Sequence, residues 1–301
     1  MSSEIIIGSR GSDLALWQAN FVKDKLQSLG HQVRITIIKT QGDKIQHLSF
    51  DKMEGKGFFT KELENALLSK KIDLAVHSCK DLETNYPEGL TIAANSSRAN
   101  PADLLLINPD FYDEAELWNL GRNARVGTSS ARRKVQLKEG RPDIELMDIR
   151  GNVPTRVGKL RSGKFDAIVL AKAGIDRLEF DHSDLKAFEF SPEDFIPAPA
   201  QGVLALQTRS DDKNLIEILR EIHDEHVGLC IDIERKVLNL FNGGCQLPLG
   251  AYCTMNGSGY DLRVAMAKTV NHSVQRVEFF GEPDQNLAER AVDELKKKVP
   301  A

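Results

Sequence analysis

The 301-residue sequence predicts an α/β protein that ends in a smaller α+β segment. Three observations carry this. Short apolar runs repeatedly hand over to a polar or glycine-bearing turn and then to a segment with helical spacing. A proline-rich crossing, FIPAPAQGVLALQTR from Phe195, leads back into a strand pattern. Beyond Phe241 the pattern changes to three strand-like runs closed by one helix. Strands alternating with helices imply a mostly parallel sheet, whose ligands sit at strand carboxyl ends beside helix N-termini.

The elements follow in order. EIIIGSR, from Glu4, is a short apolar strand. Ser12 can cap a helix with the apolar face Leu14, Trp17, Phe21, Val22, Leu26 and Leu29, closed by Gly30. QVRITIIK is a second strand. The stretch from Thr40 to Gly57 is long, polar, glycine-bearing and without periodicity, which predicts a mobile lid. A helix at FFTKELENALLSKK precedes the strands DLAVHS and LTIAAN. A second unit starts near Pro101. In it ARVGTSSARRKVQL, IELMDIRGNVPTRVGKLRSG and FDAIVLAKAGIDRL each read strand, turn, helix. The crossing at FIPAPAQGVLALQTR returns the chain to the first unit. The last part reads as a helix at CIDIERKVLNLF, three strands (LPLGAYCTM, DLRVAMAKT, SVQRVEFFG) and a helix at NLAERAVDELKKK, one sheet with helices on one face.

Composition narrows the function classes. Hydrophobic residues are 41% and charged residues 28%, as expected of a globular protein, and a net charge of -4 argues against a whole-molecule nucleic-acid binder. The start MSSEIIIGSR shows no secretory pattern, and no apolar run is long enough to span a membrane. Cys79, Cys230, Cys245 and Cys253 form no CxxC pair, and none of the seven histidines sits in HExxH, so neither a disulfide framework nor a zinc site is expected. A reducing cytosol is the expected home.

Arginine is the clearest chemical signal. Eight lie between Arg125 and Arg177 in a chain that is acidic overall. Arg132 and Arg133 open a helix after GTSS, Arg150 ends a strand before GN, Arg156 lies in the next helix's first turns, and Arg177 follows AKAG. A planar, permanently charged fork at such positions suits carboxylate or phosphate. Any one of these arginines reads more simply as a surface residue; five together point to an anionic ligand. DLAVHSCKD delivers His77, Ser78, Lys80 and Asp81 to a strand's carboxyl edge. The Lys80–Asp81 neighbours could be a plain surface pair, or a carboxylate that moves protons and stabilises a cation. GSRGS is weak as a phosphate loop, lacking both GxGxxG and a P-loop lysine. Cys245 sits in the turn FNGGCQLPLG; a free cysteine is usually a small buried hydrophobe, and glycines let a bound group approach.

Taken together, SRGSDLALWQA, GKGFFTKELE, AVHSCKDL, VGTSSARRKVQL, DIRGNVPTRVGKL, AKAGIDRL, PAPAQGVLALQ and NGGCQLPLGAY resemble the porphobilinogen deaminase (hydroxymethylbilane synthase) family over nearly the whole length, in the family's order. The resemblance implies a transferase that joins four porphobilinogen molecules head to tail with release of ammonia, then frees a linear tetrapyrrole by hydrolysis. It implies two periplasmic-binding-protein-like α/β domains with a cleft between them (1–98 with 197–218, and 102–194) and a small α+β third domain (222–301). It implies a dipyrromethane cofactor in thioether linkage to Cys245, held by Lys80, Asp81, Ser130, Arg132, Arg133, Arg150 and Gly151. Substrate contacts carry over to Arg10, Ser12, Gln18, Lys56, Arg150, Arg156, Arg177 and Gln201, and the catalytic carboxylate to Asp81. Two cofactor rings and four substrate rings bring twelve carboxylates, which an arginine-rich site suits. A cytoplasmic monomer without metal, membrane or nucleic-acid partner is implied. The sequence departs from the family pattern at Glu83, Asn100, Ala102, Ala200 and Gln207. The alternative is a non-catalytic small-anion-binding protein, which would leave Asp81 and the cysteine turn without a purpose.

Overall fold

The computed structural model describes residues 4–40, 60–242, 247–282 and 285–299. In chain order the strands are β1 (Ile5–Ser9), β2 (Val33–Ile37), β3 (Leu74–Ser78), β4 (Leu90–Asn95), β5 (Asp103–Ile107), β6 (Arg125–Gly127) and β7 (Glu145–Met147). They continue with β8 (Ala167–Ala171), β9 (Lys186–Glu189), β10 (Leu204–Arg209), β11 (Leu249–Asn256), β12 (Gly259–Met266) and β13 (Gln275–Gly281). The helices are α1 (Asp13–Ser28), α2 (Lys61–Leu68), α3 (Ala131–Gly140), α4 (Val153–Arg161), α5 (Lys172–Arg177), α6 (Lys213–Arg220), α7 (Glu225–Leu240) and α8 (Leu287–Lys298). Among the described residues no helix is long and apolar enough to cross a membrane. The segment expected as a lid, 41–57 with Lys56, and the turn 243–246 with Cys245 lie outside the described residues.

The chain divides into two compact units, Met1–Ala99 with Gly202–Gly228, and Asn100–Gln201 with Leu229–Ala301. The first holds a five-stranded sheet in the order β2-β1-β3-β10-β4. Alternation along β1 sends Ile5 and Ile7 to a core shared with Val22 and Leu26 of α1 and Leu215 and Leu219 of α6. Ile6 turns to the opposite core, where α2 contributes Leu63, Ala66 and Leu67. α1 is capped by the Ser12 hydroxyl, which accepts from the Ala15 N–H. Its buried residues are Gln18, Ala19, Val22 and Leu26, whereas Leu29 is exposed. The expected stripe therefore shifts, and it admits a polar residue because the Gln18 amide finds a partner inside.

The second unit contains two sheets. The larger runs β7-β6-β8-β5-β9. β5 and β8 are apolar runs buried along nearly their whole length, because both faces are covered: α3 on one side, α4 and α5 on the other. Burying one such Leu or Ile side chain contributes about 1.5–3 kcal/mol. The smaller sheet is an antiparallel meander, β11-β12-β13. Its core face packs under α7 and α8 through Val237, Leu262, Val264, Ala291 and Leu295. Its other face meets α3 through Val135, Ile196, Ala265 and Val274. The residues expected as a third domain thus fall in the second unit, apart from 222–228.

Two expectations change. The sheets are mixed rather than mostly parallel: β10 runs antiparallel to β3 and β4, and β5 antiparallel to β8 and β9. Each is the first strand after the chain passes from one unit to the other, so it enters its sheet from the opposite end. β5, β9 and α6 were also not anticipated: the first is an unalternating apolar run opened by an aspartate, the others are short.

Ala200 is fully buried with a left-handed backbone (φ 64), and its N–H donates to Glu234 Oε2 at 2.6 Å. That conformation costs a residue with a Cβ about 1–2 kcal/mol. Ala200→Gly is expected to stabilise the chain by about 1 kcal/mol after the entropy glycine loses on folding. An increased urea midpoint at unchanged slope would show it; a lower midpoint would contradict it.

Candidate active site

In the first unit the expected residues gather at one edge of the sheet. β1 and β3 are parallel neighbours, so their carboxyl ends lie side by side. β1 releases Arg10, half-buried, and then Ser12, which caps α1. β3 releases a single 3-10 turn, Cys79–Asp81. The turn is anchored on β10's approach: the Cys79 N–H donates to Val203 O at 2.9 Å. Cys79 is buried, Lys80 half-buried and Asp81 exposed. Gln18, one turn and a half into α1, donates from Nε2 to Ser78 Oγ at 2.9 Å. This bond ties the start of α1 to the end of β3 and brings Arg10, Ser12, Gln18, Lys80 and Asp81 to one edge. His77 is buried, and burial pushes its pKa down to about 4 against the opposing effect of its bond to the Gln207 amide oxygen, leaving a neutral ring at pH 7.

In the second unit Ser130, Arg132, Arg133, Arg150, Gly151 and Gln201 converge on the carboxyl edge of the larger sheet. Ser130 caps α3, accepting from the Arg133 N–H. Ser129 bonds both backbone groups of Ile149, at 2.9 and 3.0 Å, so the turns after β6 and β7 are held together. Arg150 follows, half-buried, with its carbonyl accepting from Lys159 Nζ. Gly151 has φ 114, and a Cβ there would stand 2.6 Å from the Thr155 side chain, so no other residue suits this turn. Its carbonyl accepts from Arg156 Nε at 2.7 Å.

Arg132 and Arg133 are not exposed donors. Both are buried around the carboxylate of Asp103, which is fully buried at the start of β5. Arg133 donates to Asp103 Oδ1 at 2.7 and 3.2 Å and to Val169 O at 3.0 Å. Arg132 pairs with Asp103 Oδ2 at 2.8 Å, donates to Ile196 O at 2.9 Å and lies over the Phe195 ring. Gln201, buried, adds Nε2 to Asp103 Oδ1 at 2.9 Å and to Pro101 O at 2.7 Å. Burial by itself would raise the Asp103 carboxyl, but the two guanidiniums override it and hold it well below the usual carboxylate range. Burial likewise pushes Arg132 down, against the pull of Asp103. Arg132 Nε is a buried N–H without a hydrogen-bond partner.

The arginines are therefore not topologically equivalent. Arg156 stands in the first turns of α4, as expected, but Arg177 ends α5 rather than opening it. Burial lowers the Arg177 guanidinium to about 10, and a carboxylate brought beside it would raise it again. Asp103, which organises the arginine pair, escaped the sequence reading. Its signal is an aspartate at the head of DLLLI, a run otherwise wholly apolar.

Each unit by itself thus presents donors suited to an anionic ligand at its sheet edge: the lysine–aspartate turn beside the capped start of α1 in the first, and Arg150 beside the capped starts of α3 and α4 in the second. The family model described as porphobilinogen deaminase, dipyromethane cofactor binding domain, matches residues 5–217. The porphobilinogen deaminase of Clostridium novyi (strain NT) is 41% identical over 268 residues, 88% of each chain. That of Helicobacter acinonychis (strain Sheeba) is 41% identical over 293 residues, 97% of this chain and 93% of the relative. Among solved structures, the periplasmic VFT2 domain of Bordetella pertussis BvgS is similar at 14% identity and a TM-score of 0.44, over 77% of this chain and 93% of that one. The chain belongs to the porphobilinogen deaminase family.

Proposed function

We propose that Asp81, assisted by Lys80 and by the arginines at the two sheet edges, carries the hydroxymethylbilane synthase reaction that belongs to this chain as a member of its family. One observation supports the assignment above others: the 3-10 turn after β3 leaves Asp81 exposed beside half-buried Lys80, and the Gln18–Ser78 bond fixes that turn against Arg10 and Ser12. In this reading the Asp81 carboxylate accepts the substrate's pyrrole N–H. As the aminomethyl C–N bond breaks and its electrons leave with ammonia, positive charge spreads over the ring, and a fixed carboxylate stabilises it. The aminomethyl group enters as its ammonium and so leaves as neutral ammonia, and the carboxylate then takes up the proton that the coupled ring loses.

The residues present suit a dipyrromethane. Its acetates and propionates need cationic and hydroxyl donors, which Lys80 offers in the first unit and Ser130 and Arg150 in the second, with Gly151 leaving room. When bound, the dipyrromethane supplies the free pyrrole position that receives the first substrate. Cys245 is its proposed anchor, from the NGGCQ turn. Arg10, Ser12, Gln18, Lys56, Arg156, Arg177 and Gln201 complete the proposed substrate contacts, Gln201 through its hold on Asp103. We assign three domains, one per sheet, in a cytoplasmic monomer that takes porphobilinogen and pyrrole intermediates and no nucleic acid, consistent with the net charge of -4.

The arginines should act at different chain lengths, since they stand on separate turns. Losing a charge-assisted hydrogen bond costs roughly 1.5–3 kcal/mol. Arg150→Gln, Arg156→Gln and Arg177→Gln are expected to stall with different numbers of pyrroles attached, read by native mass spectrometry after porphobilinogen addition. The same ladder in all three would contradict this.

A further inference from the structure

We propose that Gln207 is a positioning residue for the turn that presents Asp81: its amide joins His77, on the strand that delivers the turn, to Glu64 on α2. Gln207 lies on β10 and is fully buried. Its Nε2 donates to Glu64 Oε1 at 3.3 Å. That donor fixes the orientation of the amide, so Oε1 faces His77 Nε2 at 3.1 Å and accepts from it. His77 and Ser78 pair in register with Ala205 and Leu204 of the same strand, and the turn's first N–H bonds Val203. The end of β3 is thus suspended from β10 by its backbone and, through Gln207, clamped by a side chain to the helix on the opposite face.

The neutral amide does both jobs at once, accepting from His77 and donating to Glu64. A carboxylate at 207 would meet Glu64, whose carboxyl is already raised by burial and by the neighbouring Glu83 against the bond from Gln207. It would also draw a proton onto His77. An apolar residue would strand the His77 N–H in the interior. The titratable groups around the position are His77 on β3, Glu64 on α2 and Glu83 beyond the turn; its neighbour on β4 is Ile92.

This inference rests on Asp81 as the catalytic carboxylate, and the experiment separates the two. Gln207→Leu is expected to lower kcat between about 10-fold and about 10²-fold, with KM for porphobilinogen and the intact holoenzyme mass unchanged. Adding Asp81→Asn to it should cost no more than Asp81→Asn alone, because Gln207 acts through that group. A parental kcat, or a double variant slower by the product of the two losses, would overturn the proposal. A parental kcat in Asp81→Asn alone would overturn the Asp81 reading instead. Should Gln207→Leu not fold, Gln207→Glu decides. It is expected to gain a new pH limb, active where residues 64 and 207 share a proton and failing as pH rises. The double variant Gln207→Glu with Glu64→Gln should remove that limb, since one acceptor then faces two donors. A parental pH profile in Gln207→Glu would overturn the proposal.

Discussion

Asp81→Asn is expected to turn over porphobilinogen about 10²–10³-fold more slowly than the parent while folding and carrying its cofactor normally. The substitution keeps the shape of the side chain and one acceptor oxygen. It removes the charge that faces the developing cation, and it removes the group that exchanges a proton. The position is exposed on a short turn whose anchors are elsewhere: Cys79 N–H on Val203 and Gln18 on Ser78. Neither anchor involves the Asp81 carboxylate, so the loss should fall on kcat and leave unfolding midpoints unmoved. Ammonia release in the steady state, beside a denaturant titration, separates these effects. Near-parental turnover would remove Asp81 from the mechanism.

Asp103→Asn is expected to be the most destabilising single substitution in the arginine-rich sheet, by about 3–5 kcal/mol, because it strands two buried guanidiniums around a neutral amide. Bulk solvent screens the triad little: Asp103 is fully buried and its two arginines nearly so. The pH dependence follows from the depressed carboxyl. A carboxylate whose folded pKa lies below its unfolded value near 3.9 contributes its stability above that value and loses it as pH falls through the folded pKa. The gap between parent and variant should therefore be full at neutral pH and shrink in strong acid. Urea midpoints at pH 7 and in acid read it directly. A variant that unfolds with the parent at pH 7 would mean the triad contributes nothing. The same substitution should also reduce cofactor loading, since Arg132 and Ser130 lose the group that fixes α3.

Much of this was legible in the sequence. The strand–turn–helix units stand where apolar period puts them, with Ser12 as the cap of α1 and the chain returning at β10 to the first sheet. The turn after β3 was legible because HSCKD breaks an apolar strand abruptly. What stayed hidden depends on partners distant in sequence. Period cannot show that Gln18 is buried, since its reason is Ser78, sixty residues on. An arginine in a first helical turn reads as a solvent-facing donor until its counter-ion is known, and Asp103 lies 30 residues from Arg133. Strand direction was hidden likewise: nothing in DLLLI says that β5 enters its sheet against β8. The side chain of Gln207 reads as one residue in an alternating strand, and only the fold brings His77 and Glu64 to it.

The account turns on a primer held at one cysteine, and the intact mass of the purified chain tests that most directly. Among the described residues Cys79, Cys230 and Cys253 form no disulfide and are buried, which leaves them poorly placed to carry a ligand. The parent is expected to exceed its sequence mass by two pyrrole units, resistant to thiol treatment as a thioether is. Cys245→Ser should show the bare mass and no turnover, while serine at 79, 230 or 253 should keep both. A Cys245→Ser chain that still carries the two pyrrole units, with one of the other three variants bare, would contradict the anchor and the site built around it.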